Sequence, residues 1–254
     1  MQSFSSNGVS IAFMDSPSEQ GRGEPILLIH GFASNHAVNW VDTGWVSTLN
    51  KAGYRVIALD NRGHGQSEKL YDPADYASQL MAADAVRLLD YLDIEDAHIM
   101  GYSMGARITA YFALQYPHRA RTALLGGLGN HLINGVGLPL SIAEAMEVPS
   151  VDVLIDPMQR MFRSFAERTK SDLRALAACI RGSRQTMTPD EVAQIKTPVL
   201  ISVGTKDDVA GSPHELADLF PNAEALDIPG RDHNLAVGDR VHKQGVLDFL
   251  AQFG

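Results

Sequence analysis

The sequence predicts an α/β fold: a mostly parallel, eight-stranded sheet flanked by helices, with a small helical lid inserted after the sixth strand. Two observations carry this prediction. Short, continuous apolar runs such as 25–29 and 198–204 alternate with helix-like stretches, and such runs are typical of parallel strands buried on both faces. The alternation also stops at Gly126-Gly127 and resumes only near Pro198.

Composition limits the class of protein further. The chain has 254 residues, of which 45% are hydrophobic, which suits one sizeable core with or without a small insertion. Its formal net charge of −9, without a basic run, argues against nucleic-acid binding. No apolar run could cross a bilayer, and the N-terminal residues have no signal-peptide pattern, so we expect a cytoplasmic protein with no membrane partner. A single cysteine, Cys179, excludes an intrachain disulfide.

The first half of the chain starts with an antiparallel pair and continues with alternating strands and helices. Asn7-Gly8 is a hairpin signal between Phe4 and the alternating run 9–13. The helix prediction at 75–92 rests on apolar residues spaced three to five apart. The further predicted strands are 25–29, 54–59, 97–100 and 121–125, and the predicted helices are 45–52, 75–92 and 106–116.

An insertion separates the sixth strand from the seventh. It extends from Leu128 to Lys196, a length of roughly 65 residues that is more typical of a functional lid than of a loop. Within it we predict helices at 141–146, 151–168, 171–180 and 189–195, punctuated by prolines. The core then resumes with predicted strands at 198–204 and 223–228 and helices at 215–220 and 240–253. The predicted domains are therefore a core of residues 1–127 and 197–254 and a helical cap or lid of residues 128–196.

The stretch Gly101-Tyr102-Ser103-Met104-Gly105 joins a predicted strand to a predicted helix. A small-x-Ser-x-small turn in this position is typical of a nucleophile elbow, because the chain turns too sharply to tolerate side chains next to the serine. The next helix points its first N–H groups at the same place. A tight turn that is merely capped by the serine is the other interpretation, so residues elsewhere have to decide.

Three residues of complementary chemistry follow three different predicted strands: Ser103, Asp207 and His233. Because the carboxyl ends of parallel strands meet at one edge of a sheet, we expect these side chains to approach one another. A serine hydroxyl needs an imidazole to take its proton, and the imidazole needs a carboxylate to fix its tautomer. The three residues therefore have the chemistry required for nucleophilic catalysis, and Asp208 is a rival to Asp207 as the acid.

The chain resembles the α/β-hydrolase superfamily, in particular its lidded esterases, perhydrolases and carbon–carbon hydrolases. The matching motifs are His30-Gly31-Phe32, Asp60-x-Arg62-Gly63-x-Gly65-x-Ser67, Gly101-x-Ser103-x-Gly105, Gly204-x-x-Asp207 and Gly230-x-x-His233. The chain order Ser, Asp, His also agrees with this superfamily. A departure is Ala106, where many relatives have a third glycine, and the insertion matches no family pattern that we can name.

The resemblance implies a role for each site residue. Ser103 is expected to be the nucleophile, His233 the base and Asp207 the acid. The backbone N–H groups of Phe32 and Met104 are expected to form the oxyanion hole. We expect His30 to brace the oxyanion loop, and Asp60 and Arg62 to brace the loop after the fourth strand. No histidine has metal-ligand spacing, so neither a metal nor a cofactor is expected.

The predicted activity is hydrolysis of a small-molecule ester through an acyl-serine intermediate. Carbon–carbon bond hydrolysis and a perhydrolase or haloperoxidase-type reaction remain alternatives, because the same triad serves all of them and the lid determines selectivity. An alternative from another class is a receptor-like protein that binds a small molecule with little turnover. The expected partner is a small-molecule substrate, and the sequence does not indicate an oligomeric state.

Overall fold

Eight strands form one sheet in the computed structural model, which describes residues 1–19, 23–135 and 137–253. The strands are β1 (Gln2–Ser6), β2 (Val9–Ser16), β3 (Pro25–Ile29), β4 (Arg55–Leu59), β5 (Ala97–Tyr102), β6 (Ala120–Gly126), β7 (Val199–Gly204) and β8 (Ala223–Ile228). Their order is β1-β2-β4-β3-β5-β6-β7-β8. The pairs β1–β2 and β2–β4 are antiparallel, and the others are parallel. The predicted mostly parallel, eight-stranded α/β sheet is confirmed.

Helices flank the sheet and fill the interval between β6 and β7. The α-helices are α1 (Trp45–Lys51), α2 (Ser78–Tyr91), α3 (Met104–Gln115), α4 (His131–Asn134), α5 (Leu140–Glu147), α6 (Pro157–Arg168), α7 (Leu173–Gly182), α8 (Pro189–Gln194), α9 (Pro213–Ala217), α10 (His233–Ala236) and α11 (Arg240–Leu250). Shorter pieces are a π-helix at Ala37–Val41 and 3₁₀ helices at Pro73–Tyr76, Pro117–Arg119 and Val151–Val153. None of the described helices is both long and apolar enough to span a membrane.

Side chains of the central strands alternate between two apolar layers. Along β3, Leu27 and Ile29 pack on the side of α2 and α3, whereas Ile26 and Leu28 pack on the side of α1 and α11. This is the two-residue period of a strand. All four side chains are fully buried, and each contributes about 1.5–3 kcal/mol of hydrophobic free energy. The continuous apolar run is therefore explained by burial on both faces.

The helices between β6 and β7 build a third apolar cluster next to the loop that follows β3. It combines residues of α5, α6 and α7 with Phe32 and Ala33 of that loop. Thr169 Oγ1, just after α6, donates a hydrogen bond to Ala33 O at 2.9 Å. The predicted segments 1–127, 128–196 and 197–254 contain residues 20–22, 136 and 254, respectively, which lie outside the described residues.

Two of the helices that begin at residues other than those predicted have a proline at their first position. The predicted helix 151–168 is divided in two: Val151–Val153 is a 3₁₀ helix, and α6 begins only at Pro157, where Asp156 accepts the backbone N–H two residues beyond the proline. Likewise α9 begins at Pro213 rather than Glu215. Proline is favoured at the first helical position, since its missing N–H would have no acceptor there.

Candidate active site

Ser103 is the turning point between β5 and α3. Its φ of 56° and ψ of −113° are rare for an L-residue, a strain of about 1–3 kcal/mol that the surroundings must maintain. Close packing explains its two small neighbours. A Cβ on Gly105 would lie 1.9 Å from Ile29 O, and one on Gly101 would lie 2.0 Å from Gly105 O. The glycines therefore let the elbow lie directly against the sheet, as the nucleophile-elbow interpretation requires.

Ser103, His233 and Asp207 meet at the carboxyl edge of the sheet. His233 Nε2 lies 2.9 Å from Ser103 Oγ, and His233 Nδ1 lies 2.7 Å from Asp207 Oδ2. Asp207 is held by its own loop, because its Oδ1 accepts the N–H groups of Val209 and Ala210 at 2.8 and 3.0 Å. A carboxylate at Nδ1 favours the tautomer with its proton on Nδ1, which leaves Nε2 free to accept the serine proton.

Asp208, the alternative acid, differs from Asp207 in its exposure to solvent. Its side chain is exposed, whereas the Asp207 carboxylate is 0% exposed and paired with His233. A carboxylate shielded from water interacts more strongly with an imidazole than a solvated one does. The geometry therefore favours Asp207.

The loop after β3 approaches the elbow closely. A Cβ on Gly31 would lie 3.4 Å from Ser103 Cβ and 3.2 Å from Tyr102 O. Phe32 follows Gly31, and Met104 is the first residue of α3, where backbone N–H groups have no acceptor within the helix. Among the described residues, no backbone acceptor is found for the N–H of Phe32 or of Met104. Both N–H groups are therefore candidates to receive an oxyanion.

His30 connects this loop to the loop after β4. Its Nδ1 donates to Gly31 O at 2.7 Å, and its Nε2 accepts the N–H of Asn61 at 3.0 Å. Since a backbone N–H can only donate, Nε2 must be unprotonated and the ring neutral. Burial also lowers the pKa of His30. The expected bracing by His30 is confirmed.

Asp60 and Arg62 fix the loop after β4. Asp60 accepts hydrogen bonds from the backbone N–H and Nδ1 of His36 and from the N–H of Gln66, each at 2.8 Å. Burial opposes ionisation of Asp60, but the hydrogen bonds from His36 and Gln66 outweigh it and lower the pKa to about 2. Arg62 binds the Asp84 carboxylate through Nε and Nη2, both at 2.8 Å. The expected bracing is confirmed, although the partner Asp84 of α2 was not predicted.

Two further residues support the site and were not predicted. The Tyr102 hydroxyl donates to His233 O at 2.6 Å, which ties the histidine loop to the elbow. Arg107 lies one turn into α3, and burial without a carboxylate lowers its pKa to about 10. Its Nη1 and Nη2 donate to the carbonyl oxygens of Leu132, Gln185, His131 and Gly135. An arginine on an otherwise apolar helix next to the elbow was the only sequence signal for this role.

Two cavities share Ser103 and Phe32 as walls. The large cavity, of about 350 Å³, is also lined by His233, Asn39 and side chains of α6. The small cavity, of about 90 Å³, is also lined by Met104, Arg107 and Leu128. Such apolar clefts with a few polar groups are typical of small-molecule sites.

Two other kinds of reactive group have to be considered beside the triad, namely possible metal ligands and the Cys179 thiol. In residues 1–19, 23–135 and 137–253, no cluster of three His, Cys, Asp or Glu side chains is placed to hold a metal ion. Cys179 of α7 is fully buried, with its Sγ 3.7 Å from Met104 Sδ. Burial raises the pKa of the Cys179 thiol to about 12, so this thiol is packed rather than nucleophilic.

Acid should destabilise the fold through its buried histidines. Burial lowers the pKa of His64 to about 3 and that of His242 to about 4, whereas an unfolded histidine titrates near 6.5. As the pH falls below about 6.5, the unfolded chain binds protons that the folded chain does not. The unfolding free energy should therefore fall by about 1.4 kcal/mol per histidine and pH unit. Urea titrations between pH 6 and 4.5 measure this loss, and His242→Asn should reduce its slope by about one proton; an unchanged slope would contradict the prediction.

Known proteins share this fold over nearly the whole chain. A family model described as the alpha/beta hydrolase fold matches residues 24–134. BpoC of Mycobacterium tuberculosis, named as a non-heme bromoperoxidase, is 29% identical over 85% of this chain and 88% of its own length. A hydrolase from Pseudomonas aeruginosa PA01 superposes with a TM-score of 0.80 at 22% identity, covering 98% of this chain and 97% of that one. The enol-lactonase of Burkholderia xenovorans LB400 gives 0.78 at 20% identity, covering 98% and 100%.

Fold and sequence agree on the class of protein. The chain has the α/β-hydrolase fold, and the model of that family matches residues 24–134. Its neighbours carry the names of different enzymes, among them carboxylesterases, a non-heme chloroperoxidase and a meta-cleavage product hydrolase. The comparisons therefore support a hydrolase, and the reaction of this chain has to be argued from its site.

Proposed function

We propose that this protein is a serine hydrolase that cleaves a small-molecule ester through an acyl-serine intermediate. The observation that carries the proposal is the pair of hydrogen bonds from Ser103 Oγ to His233 Nε2 and from His233 Nδ1 to Asp207 Oδ2, at 2.9 and 2.7 Å. These are the distances at which a serine can be activated by its base and the base oriented by a carboxylate.

Acylation would use each of these atoms in turn. Ser103 Oγ attacks the carbonyl carbon of the ester while its proton moves to His233 Nε2. The carbonyl electron pair shifts onto the oxygen, and the N–H groups of Phe32 and Met104 stabilise that oxyanion. When the tetrahedral intermediate collapses, the bond between carbon and the leaving oxygen breaks, and the proton on Nε2 passes to that oxygen.

Deacylation repeats the sequence with water. His233 takes a proton from a water molecule, whose oxygen attacks the acyl carbon. The carboxylic acid leaves, and the proton returns from His233 to Ser103 Oγ. Throughout, the buried Asp207 stabilises the imidazolium form of His233.

Pre-steady-state kinetics with p-nitrophenyl acetate test this proposal. We expect a burst of p-nitrophenol and, after acid quench, an acetyl group on the peptide that contains Ser103. A receptor-like binding protein would release p-nitrophenol no faster than buffer and carry no acetyl group.

Peracid formation is a second candidate, favoured by the 29% identity to a protein named as a non-heme bromoperoxidase. Here hydrogen peroxide would replace water as the acceptor of the acyl group from Ser103, which yields a peracid and the free enzyme. Adding peroxide during ester turnover measures how the acyl group is divided between peroxide and water. Oxidation of bromide in proportion to acyl transfer supports this candidate, and formation of the free acid alone argues against it.

We further propose that residues 128–196 act as a lid that selects substrates. Met161 and Phe162 of α6 line the large cavity, whereas Met158 on the same helix does not. Met161→Ala and Phe162→Ala should change the ratio of kcat/KM between bulky and small alcohol esters by about tenfold. Met158→Ala, a control with the same chemistry at a residue 39% exposed, should leave that ratio unchanged. Equal losses of kcat/KM for every ester would indicate that these side chains support the structure of the site and do not select substrates.

A further inference from the structure

The leaving part of the substrate can be placed within the site. This inference rests on the proposed ester hydrolysis. Ser103 and Phe32 wall both cavities, but His233 lines only the large cavity. Because His233 Nε2 has to protonate the leaving oxygen, the leaving group must lie on the His233 side of the scissile bond. The leaving group therefore occupies the large cavity, and the acyl group occupies the small cavity of about 90 Å³.

Asn39 lines the large cavity and carries a donor without a protein partner. Its Oδ1 accepts the N–H of Gly31 at 3.1 Å. Since that N–H can only donate, the amide cannot be turned the other way round, and Nδ2 is fixed on the opposite side. Within the described part of the chain, Nδ2 has no acceptor. Asn39 is 6% exposed, so bulk solvent hardly compensates for the missing bond.

Three other polar side chains of this cavity are already engaged, whereas Arg168, which also lines it, is exposed to solvent. The Thr43 hydroxyl donates to Asn39 O at 2.6 Å, and the Ser34 hydroxyl is directed at Asn35 O. Asn234 Nδ2 lies 3.8 Å from Met161 Sδ. A buried donor that lacks a partner destabilises the folded protein and calls for a functional explanation. In a substrate cavity, that explanation is a ligand acceptor.

The geometry points to an ester whose alcohol portion carries a carbonyl-type oxygen, which accepts a hydrogen bond from Asn39 Nδ2 in the large cavity. The acyl portion is small. Asn39 is then a residue that determines specificity for the leaving group, and its Oδ1 separately supports the oxyanion loop through Gly31. A site built around such a donor discriminates against analogues that leave it unpaired.

Two matched acetate esters test this inference. 5-Acetoxypentan-2-one and hexyl acetate share the acyl group and have alcohol portions with equal numbers of heavy atoms, a five-carbon chain with a ketone and a six-carbon alkyl chain. The ketone is too far from the ester to alter the leaving oxygen much. We expect the wild-type protein to favour the ketone about tenfold in kcat/KM. Asn39→Asp keeps an oxygen for Gly31 N–H but replaces the donor with an acceptor, so the preference should disappear or reverse. Thr43→Val, which removes an engaged hydroxyl of the same cavity, should keep the preference.

The outcomes separate this inference from the proposed function. If both esters are hydrolysed with equal kcat/KM, or if Asn39→Asp keeps the ketone preference, Asn39 does not read the leaving group, although the hydrolase assignment stands. If neither ester is hydrolysed, the proposed function is contradicted. The role of Asn39 is then tested by measuring ligand binding.

Binding is measured without turnover in Ser103→Ala labelled with ¹⁵N. The side-chain amide signal of Asn39, assigned by its loss in Asn39→Asp, should shift on titration with 5-acetoxypentan-2-one. Hexyl acetate should leave it near its free position. Equal shifts with both esters, or none with the ketone, would overturn the inference.

Discussion

Replacing Ser103 with alanine should reduce kcat for a short p-nitrophenyl ester by about 10⁴- to 10⁶-fold. The substitution removes the oxygen that we propose to form the acyl bond, while His233 and the proposed oxyanion donors stay in place. It should also abolish labelling by a fluorophosphonate probe, which reacts with an activated serine hydroxyl. Steady-state kinetics and mass spectrometry of the probe-treated protein measure both effects.

Ser78→Ala is a matched control for this variant. Ser78 is fully buried, and its Oγ has no partner among the described residues, so the substitution removes a serine hydroxyl away from the site. It should retain full labelling and nearly full activity. Thermal unfolding of both variants checks that neither loses the fold. An active, labelled Ser103→Ala protein would show that another residue is the nucleophile.

The sheet was predictable because its strands are dictated by local sequence. β3 and β8 have the predicted bounds, 25–29 and 223–228. In β3, burial on both faces demands an unbroken apolar run that ends where the chain must turn. The elbow was predictable for a similar reason, since Gly101 and Gly105 are small only because backbone oxygens lie where their side chains would be. Steric demands of this kind restrict which residue types can occupy a position, so they can be recognised in the sequence.

The supporting residues of the site could not be predicted because their partners are distant in the chain. Tyr102 occupies a position of the elbow pattern that accepts many residues, and its bond to His233 O spans 131 positions. Arg107 binds carbonyl groups, which every residue has, so no partner residue type reveals the interaction. Asn39 lies in a π-helix at Ala37–Val41, an irregular element without a clear periodic pattern.

Asp207→Asn should reduce kcat by about 10⁴-fold while leaving the fold intact, as the equivalent change does in serine proteases. The asparagine keeps an Oδ1 for the N–H groups of Val209 and Ala210, which Asp207 now accepts at 2.8 and 3.0 Å. Its amide nitrogen, however, would face His233 Nδ1 and donate to it. His233 would then carry its proton on Nε2, facing Ser103 Oγ, and could no longer accept the serine proton.

Asp208→Asn removes the same charge one residue further along the loop, at an exposed side chain, and should change kcat by less than about twofold, because a solvated charge is strongly screened. The pair therefore separates loss of a negative charge near the site from loss of the hydrogen bond to His233 Nδ1. Measuring kcat together with the thermal midpoint for both variants decides between the two carboxylates. If Asp207→Asn lost little activity and Asp208→Asn lost much, the loop would have to rearrange in solution so that Asp208 reaches His233. The assignment of the acid would then pass to Asp208.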